Sequence, residues 1–128
     1  ELATGGDDGL LRIWSLSHSK CLRRSNIGSA IRSVAWNTSG SIIVVGIGGD
    51  QNNVAKDGTI SVVDVMTLNV LFEDRKAKQW ITDIKFTEKT FVVMSRDGCA
   101  YIHDSEKFNL IRKIETPNKA YSGIFATP

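Results

Sequence analysis

Apolar residues in this chain come in short runs broken by glycine, aspartate, asparagine and serine. Ile42-Ile43-Val44-Val45 and Phe91-Val92-Val93-Met94 are apolar at consecutive positions, whereas a strand with one wet face alternates apolar and polar side chains. Such runs predict strands covered on both faces, and β-branched residues suit a buried pleated surface. No segment sustains an apolar repeat at helical spacing, so the chain reads as all-β.

The turns between the runs repeat. Asp-Gly pairs stand at Asp8-Gly9, Asp57-Gly58 and Asp97-Gly98, 49 residues from the first to the second and 40 from the second to the third. The longer interval holds an extra polar segment, Gly48 to Lys56. Independently, Ile31-Arg32-Ser33-Val34-Ala35-Trp36 recurs as Ile81-Thr82-Asp83-Ile84-Lys85-Phe86 at an offset of 50, and Tyr121-Ser122-Gly123-Ile124-Phe125-Ala126 repeats it weakly 40 residues further on. A period near ~40 residues predicts four-stranded blades of a β-propeller. The expected order is a partial blade over 1–24 (Leu2 to Gly5, Leu10 to Ser15, Cys21 to Arg24), then a blade over 31–73 (Ile31 to Asn37, Ser41 to Ile47, Thr59 to Asp64, Leu68 to Glu73). A second full blade follows over 80–114 (Trp80 to Phe86, Phe91 to Ser95, Cys99 to Asp104, Phe108 to Ile114), and 121–128 opens a further one.

At 128 residues the chain is too short for a closed ring, which needs ~4 to 8 blades. It is therefore expected to be a fragment of about two complete blades plus parts of two others, with the rest of the ring supplied by missing chain. Made alone, such a fragment would expose apolar faces and strand edges and is expected to aggregate. Cations in the fourth strands, Arg23, Arg24, Arg112 and Lys113, would oppose pairing at the outer edge.

A net charge of +2 is too small for a nucleic-acid footprint over the whole surface. Cys21 and Cys99 have neither metal nor disulfide spacing and suit reduced thiols of a cytosolic protein. No apolar run reaches the ~18 to 20 residues of a membrane span, and Asn37-Thr38-Ser39 reads as a polar turn.

Thr4-Gly5-Gly6-Asp7-Asp8-Gly9-Leu10-Leu11-Arg12-Ile13-Trp14-Ser15 resembles the WD-repeat family's strand, Asp-Gly turn and Trp-Asp ending, with Ser15 in place of the aspartate. Val63-Asp64 and His103-Asp104 stand at the same place later. The resemblance implies a buried hydrogen-bond relay of which Thr4, Asp8 and Trp14 are members here, while the family's usual histidine is lacking near Ser29. A narrower series, Ile31 to Trp36, Ile43-Val44-Val45-Gly46, Val62-Val63-Asp64 and Asp74-Arg75-Lys76 before Ile81 to Phe86, is similar to the echinoderm microtubule-associated protein-like proteins. That likeness implies a microtubule-associated scaffold with tubulin as partner, in the cytoplasm or on the cytoskeleton.

Catalysis finds little support. His18 and His103 stand apart, with no local chelating interval; His18 reads as solvated and His103 as packing in the place of a repeat tryptophan. Gly46-Ile47-Gly48-Gly49 lacks the Gly-Lys-Ser/Thr of a phosphate loop, so neither a cofactor nor a metal is expected, and the protein reads as a non-enzyme. Trp36 reads as core. Asp57, Gly58, Asp64, Asp97, Gly98 and Asp104 read as turn and strand-end residues, with Asp8 and Gly9.

The candidate site is the rim bearing the outer-to-inner strand connections. It holds the run Arg75-Lys76-Ala77-Lys78 with Lys56, Trp80, Arg96 and Lys119, cations suited to an acidic protein surface. An RNA- or nucleoprotein-associated module using the same rim and Trp80 is the alternative, with nucleic acid the less favoured partner; a general adaptor in another cytosolic complex is a further one.

Overall fold

A computed structural model describes residues 1–115; Lys119 and the strand expected over Tyr121 to Ala126 lie outside the described residues. Eleven strands form three antiparallel sheets among the described residues. The first sheet holds β1 (Leu2–Thr4), β2 (Leu10–Ser15) and β3 (Lys20–Asn26) in that order. The second runs β4 (Ile31–Trp36), β5 (Ile42–Ile47), β6 (Ile60–Asp64) and β7 (Val70–Asp74). The third runs β8 (Ile81–Phe86), β9 (Thr90–Ser95), β10 (Cys99–Asp104) and β11 (Leu110–Glu115). Each strand pairs with its sequence neighbour, so every sheet is a meander.

The middle sheet shows why its strands are apolar throughout. Every residue of β5 is buried. Ile43 and Val45 join Leu11, Ile13, Ile31 and Val63 in a cluster against the first sheet, whereas Val44 joins Val62, Ile81, Ile84, Phe91 and Val93 against the third. Alternate side chains of one strand thus fill two cores, and each fully buried Val or Ile contributes roughly 1.5–3 kcal/mol. In the third sheet β9 and β10 alternate instead: Val92 and Met94 are half-buried while Phe91 and Val93 are buried. The expectation of two covered faces therefore holds for Ile42 to Val45 and not for Phe91 to Met94, because no further described sheet lies over the second face.

Close approach between sheets depends on Gly46. A Cβ there would come within 2.4 Å of Ile81 Cγ2, and one at Gly5 within 2.3 Å of Ile31 Cγ2. Ile31, which opens β4, sits over Gly5 just past β1, and Ile81, which opens β8, sits over Gly46 near the end of β5, which is the same joint made twice.

The β2–β3, β6–β7 and β10–β11 turns also follow one plan. Ser19, Leu68 and Phe108 take positive φ values of 51°, 60° and 69°, and the ladder shifts register at Ile13/Trp14, Val62/Val63 and Ile102/His103. Asp64 Oδ2 accepts the Thr67 N–H at 2.9 Å, and Asp104 Oδ2 accepts those of Glu106 and Lys107 at 2.9 and 2.7 Å. Leu68 and Phe108 are turn residues and do not begin strands; their N–H groups donate to the carbonyls of Asp64 and Asp104 at 2.7 and 2.9 Å. Sequence pattern mistook them because both are apolar. Leu68 is buried, and Phe108 packs partly buried against the core. Trp36 is half-buried and packs against the cluster between the first and second sheets.

Leu71, Val70 and Ile111 of the outer strands are more than half exposed, at 51%, 51% and 55%. The long loop carries one unforeseen feature, a single 3-10 turn over Val54–Lys56.

Candidate functional site

The connections after β1, β3, β5, β7 and β9 lie at one end of the sheets, because those strands all run toward it. This end holds the Asp-Gly turns, and the three aspartates use their side chains differently. Asp8 Oδ1 accepts the Leu10 N–H at 3.1 Å, while Oδ2 pairs with Arg12 Nη1 at 3.1 Å. The Leu10 N–H, aided by Arg12, holds the Asp8 carboxyl below its usual range against the opposing effect of desolvation. Asp97 Oδ1 likewise accepts the Cys99 N–H at 2.8 Å, but Oδ2 accepts the hydroxyl of buried Tyr101 at 2.5 Å. Burial first, then that acceptor, push the Tyr101 phenol far above its ordinary value. Asp57 is buried and accepts the Gly49 N–H at 3.1 Å.

Two members of the expected relay meet, since Trp14 Nε1 donates to Thr4 Oγ1 at 2.8 Å. Asp8 does not join them. Its side chain is 49% exposed on the turn with Arg12, because that arginine, four residues on, offers a closer charged partner. Ser29, near the place of the missing histidine, is buried with its Oγ unpartnered among the described residues.

The basic run is less free than its composition suggests. Arg75 is half-buried, and its Nε donates to the Asp57 carbonyl at 2.8 Å, tying the β7–β8 connection to the second sheet's Asp-Gly turn. Lys78 Nζ caps the Arg75 carbonyl at 2.8 Å, and Lys76 Nζ stands 3.8 Å from Asp74 Oδ1. Lys56 is exposed on the 3-10 turn. Arg75 is therefore a structural clasp, and the run does not present a uniform cationic strip.

Trp80 and Arg96 come together, and they bring in a residue that sequence reasoning missed. The guanidinium carbons of Arg96 and Arg32 lie 4.6 and 4.8 Å from the Trp80 ring centroid, distances at which a cation is attracted by the indole quadrupole. Arg32 Nε donates to the Gly48 carbonyl at 2.8 Å, and its Nη2 pairs with Asp7 at 3.1 Å. Trp80 is seated over Gly48, where a Cβ would lie 2.6 Å from Trp80 Cα, and its carbonyl accepts the Arg96 N–H at 2.9 Å. Three sheets thus contribute to one cluster: Asp7 from the first, Arg32 and Gly48 from the second, Trp80 and Arg96 from the third.

Meander sheets that each turn at an Asp-Gly pair and meet through repeated inner-strand joints define an arc of β-propeller blades. The solved structure of Saccharomyces cerevisiae Sqt1, a WD-repeat protein, is similar with a TM-score of 0.79 and 17% identity, over 92% of this chain and 31% of that one. Among curated proteins, the rat ribosome biogenesis protein BOP1 is 43% identical over 44 residues, 34% of this chain and 6% of that protein. Human BOP1 is 41% identical over 44 residues, and the Aedes aegypti homolog 43% over 49 residues, again 6% of each protein. The chain thus matches about 6% of the length of these curated relatives. No family model matches it.

Proposed function

We propose that this chain is part of a non-enzymatic WD-repeat scaffold that works within a ribosome-assembly complex by binding proteins through the loop face of its blades. The observation that carries this reading is the stretch of 44 residues at 43% identity to a ribosome biogenesis protein, set in a propeller arc. Physical support comes from the blades themselves. A rigid array that presents loops from several sheets on one surface loses little conformational freedom on binding, and the loop face here is braced by hydrogen bonds between connections, Arg75 to Asp57 among them.

The microtubule-associated reading rests on the likeness of short strand motifs, and the ribosome biogenesis relatives move the weight to the nucleoprotein alternative. Fold alone does not choose between them, because propellers serve many unrelated roles. The deciding experiment tags the full-length protein at its own locus and fractionates extract on a sucrose gradient. Co-migration with precursor ribosomal particles, together with stalled ribosomal RNA processing on depletion, is the expected result. Migration away from those particles, with pelleting on assembled microtubules, would overturn it in favour of the cytoskeletal reading.

A further inference from the structure

We infer that the Arg32, Trp80 and Arg96 cluster is a docking point for the carboxylate of an acidic protein segment. This inference rests on the scaffold reading above and names the chemistry of one of its contacts.

The cluster holds donors that the described residues leave unused. Arg32 is spent, with one nitrogen on the Gly48 carbonyl and another on Asp7. Arg96 is not: among the described residues its guanidinium faces the indole, with neither carboxylate nor carbonyl on its N–H groups. The Trp80 indole N–H likewise has no acceptor among the described residues. A planar guanidinium offers a two-pronged donor that matches a carboxylate. Stacking on the ring holds it in place, since Trp80 is wedged against Gly48 and bonded through its carbonyl to the Arg96 backbone. The donor set is therefore ordered before a ligand arrives.

Asp7 shows which ligand chemistry the cluster accepts. Its side chain is 81% exposed, yet it reaches from the first sheet to Arg32. A carboxylate thus already sits on the arginine beside Arg96. The surroundings argue against a nucleic-acid strand, whose phosphates follow one another at close and even spacing and require a continuous run of cations. Here Asp7 and Asp8 interrupt the positive charge, and Arg75 is turned inward. Discrete carboxylates on a protein loop can meet Arg96 while avoiding those aspartates.

The test uses the intact propeller-bearing protein and fluorescence anisotropy with three labelled probes: a short Glu-rich peptide, its Gln-substituted counterpart, and a single-stranded oligouridylate. The Glu peptide is expected to bind in preference to the other two. Arg96→Gln should weaken it about tenfold, and Arg96→Lys should weaken it less, because the charge stays while the planar fork is lost. Asp7→Asn provides a gain of function that misfolding cannot imitate: removal of the competing carboxylate should tighten the Glu peptide about threefold. Equal binding of the Glu and Gln peptides, unchanged binding by Arg96→Gln, weaker binding by Asp7→Asn, or preference for the oligouridylate would each overturn the inference. Recovery of the protein with precursor ribosomal particles is scored separately. Particle association without preference for the Glu peptide removes only this site, whereas loss of particle association in the wild type removes the scaffold reading itself.

Discussion

The two ends of the blades solve the same problem, reversing a strand, by different means. At the loop end the turns press on neighbouring segments: a Cβ at Gly58 would stand 2.2 Å from the Ala77 carbonyl oxygen, and one at Gly9 3.0 Å from that of Ser29. At the other end the turn from Asn37 to Ser41 is self-contained. Asn37 Oδ1 accepts the Ser41 and Ile42 N–H groups at 2.9 and 3.1 Å, and nothing lies within 4 Å of a Cβ at Gly40. The Asp-Gly turns are therefore fixed by packing between segments and the Asn37 turn by local hydrogen bonds, while the Asp64 turn beside it also receives Arg23 Nε on the Val65 carbonyl at 2.9 Å. Substitutions at Gly58 should disturb the joint between segments, and those at Gly40 only the turn.

The sharpest form of this difference is a pair of glycine variants. Both Gly58 and Gly40 have positive φ, at 90° and 74°, so alanine strains the backbone at either. Only at Gly58 does the new methyl meet fixed backbone. Gly58→Ala is expected to cost about 3 kcal/mol or more from strain and overlap combined, and Gly40→Ala about 1 kcal/mol from strain alone. Urea denaturation of the intact protein measures both. Equal losses would show that the loop end yields as easily as the other, and the comparison would fail.

Within the loop end, the residue four positions after the aspartate sets how firmly the Asp8 and Asp97 turns are held. Tyr101 is buried and donates to Asp97, whereas Arg12 meets Asp8 at the surface. Tyr101→Phe leaves a half-buried carboxylate short of a partner and should cost about 1–2 kcal/mol. Arg12→Met should leave the unfolding midpoint unchanged within error, since exposed ion pairs contribute little and are screened by salt. An Arg12 effect as large as that of Tyr101 would mean that the exposed turn bears more of the joint than its geometry implies.

Acidity separates two contributions near the end opposite the Asp-Gly turns. Burial pushes the His103 imidazole below its ordinary 6.5, outweighing the opposing hydrogen bond between Nδ1 and the Phe108 carbonyl. The ring is stacked on Phe91 at 4.9 Å with 4° between planes. The unfolded chain takes up this proton more readily than the folded one, so the contribution is whole above pH ~6.5 and diminishes as pH falls toward the lowered folded value. Asp64 and Asp104 are held below 3.8, chiefly by the Thr67 N–H in one and the Lys107 N–H in the other. Their contribution is present above that value and lost below it. Stability should therefore fall in two windows on acidification, and His103→Phe should remove the upper one. Persistence of the upper window in that variant would assign it to another group.

Much of this division can be read from the residues. Asp-Gly marks a turn because glycine tolerates positive φ beside an aspartate that bonds its own backbone, and the Ile31 and Ile81 motifs mark the joints because both close on a glycine. The cation cluster was only half legible. Trp80 and Arg96 stood out as an aromatic and a cation on the rim, but Arg32 follows the first residue of an inner strand, where alternation and position suggest no site. Its role depends on the distance between sheets, which no local pattern encodes. Arg75 misled for the converse reason: a cation in a polar run reads as exposed, and its bond to the Asp57 carbonyl links residues 18 positions apart. Leu68 and Phe108 misled because their apolar side chains outweighed any sign of positive φ.

Those last two residues frame the smallest expected effect. At the third of the equivalent positions stands Ser19, with φ of 51° and an exposed side chain. A non-glycine residue in this region carries roughly 1–2 kcal/mol of steric cost, and glycine relieves it while adding about 0.5–1 kcal/mol of chain entropy to be lost on folding. Ser19→Gly should therefore stabilise by about 0.5 kcal/mol. Leu68→Gly should do the opposite, because it removes a side chain only 6% exposed from the core between the first and second sheets. Measured side by side, the two variants separate backbone strain from packing at one turn geometry. If Ser19→Gly destabilises the protein, the turn is held by its side-chain environment and strain at positive φ does not dominate there.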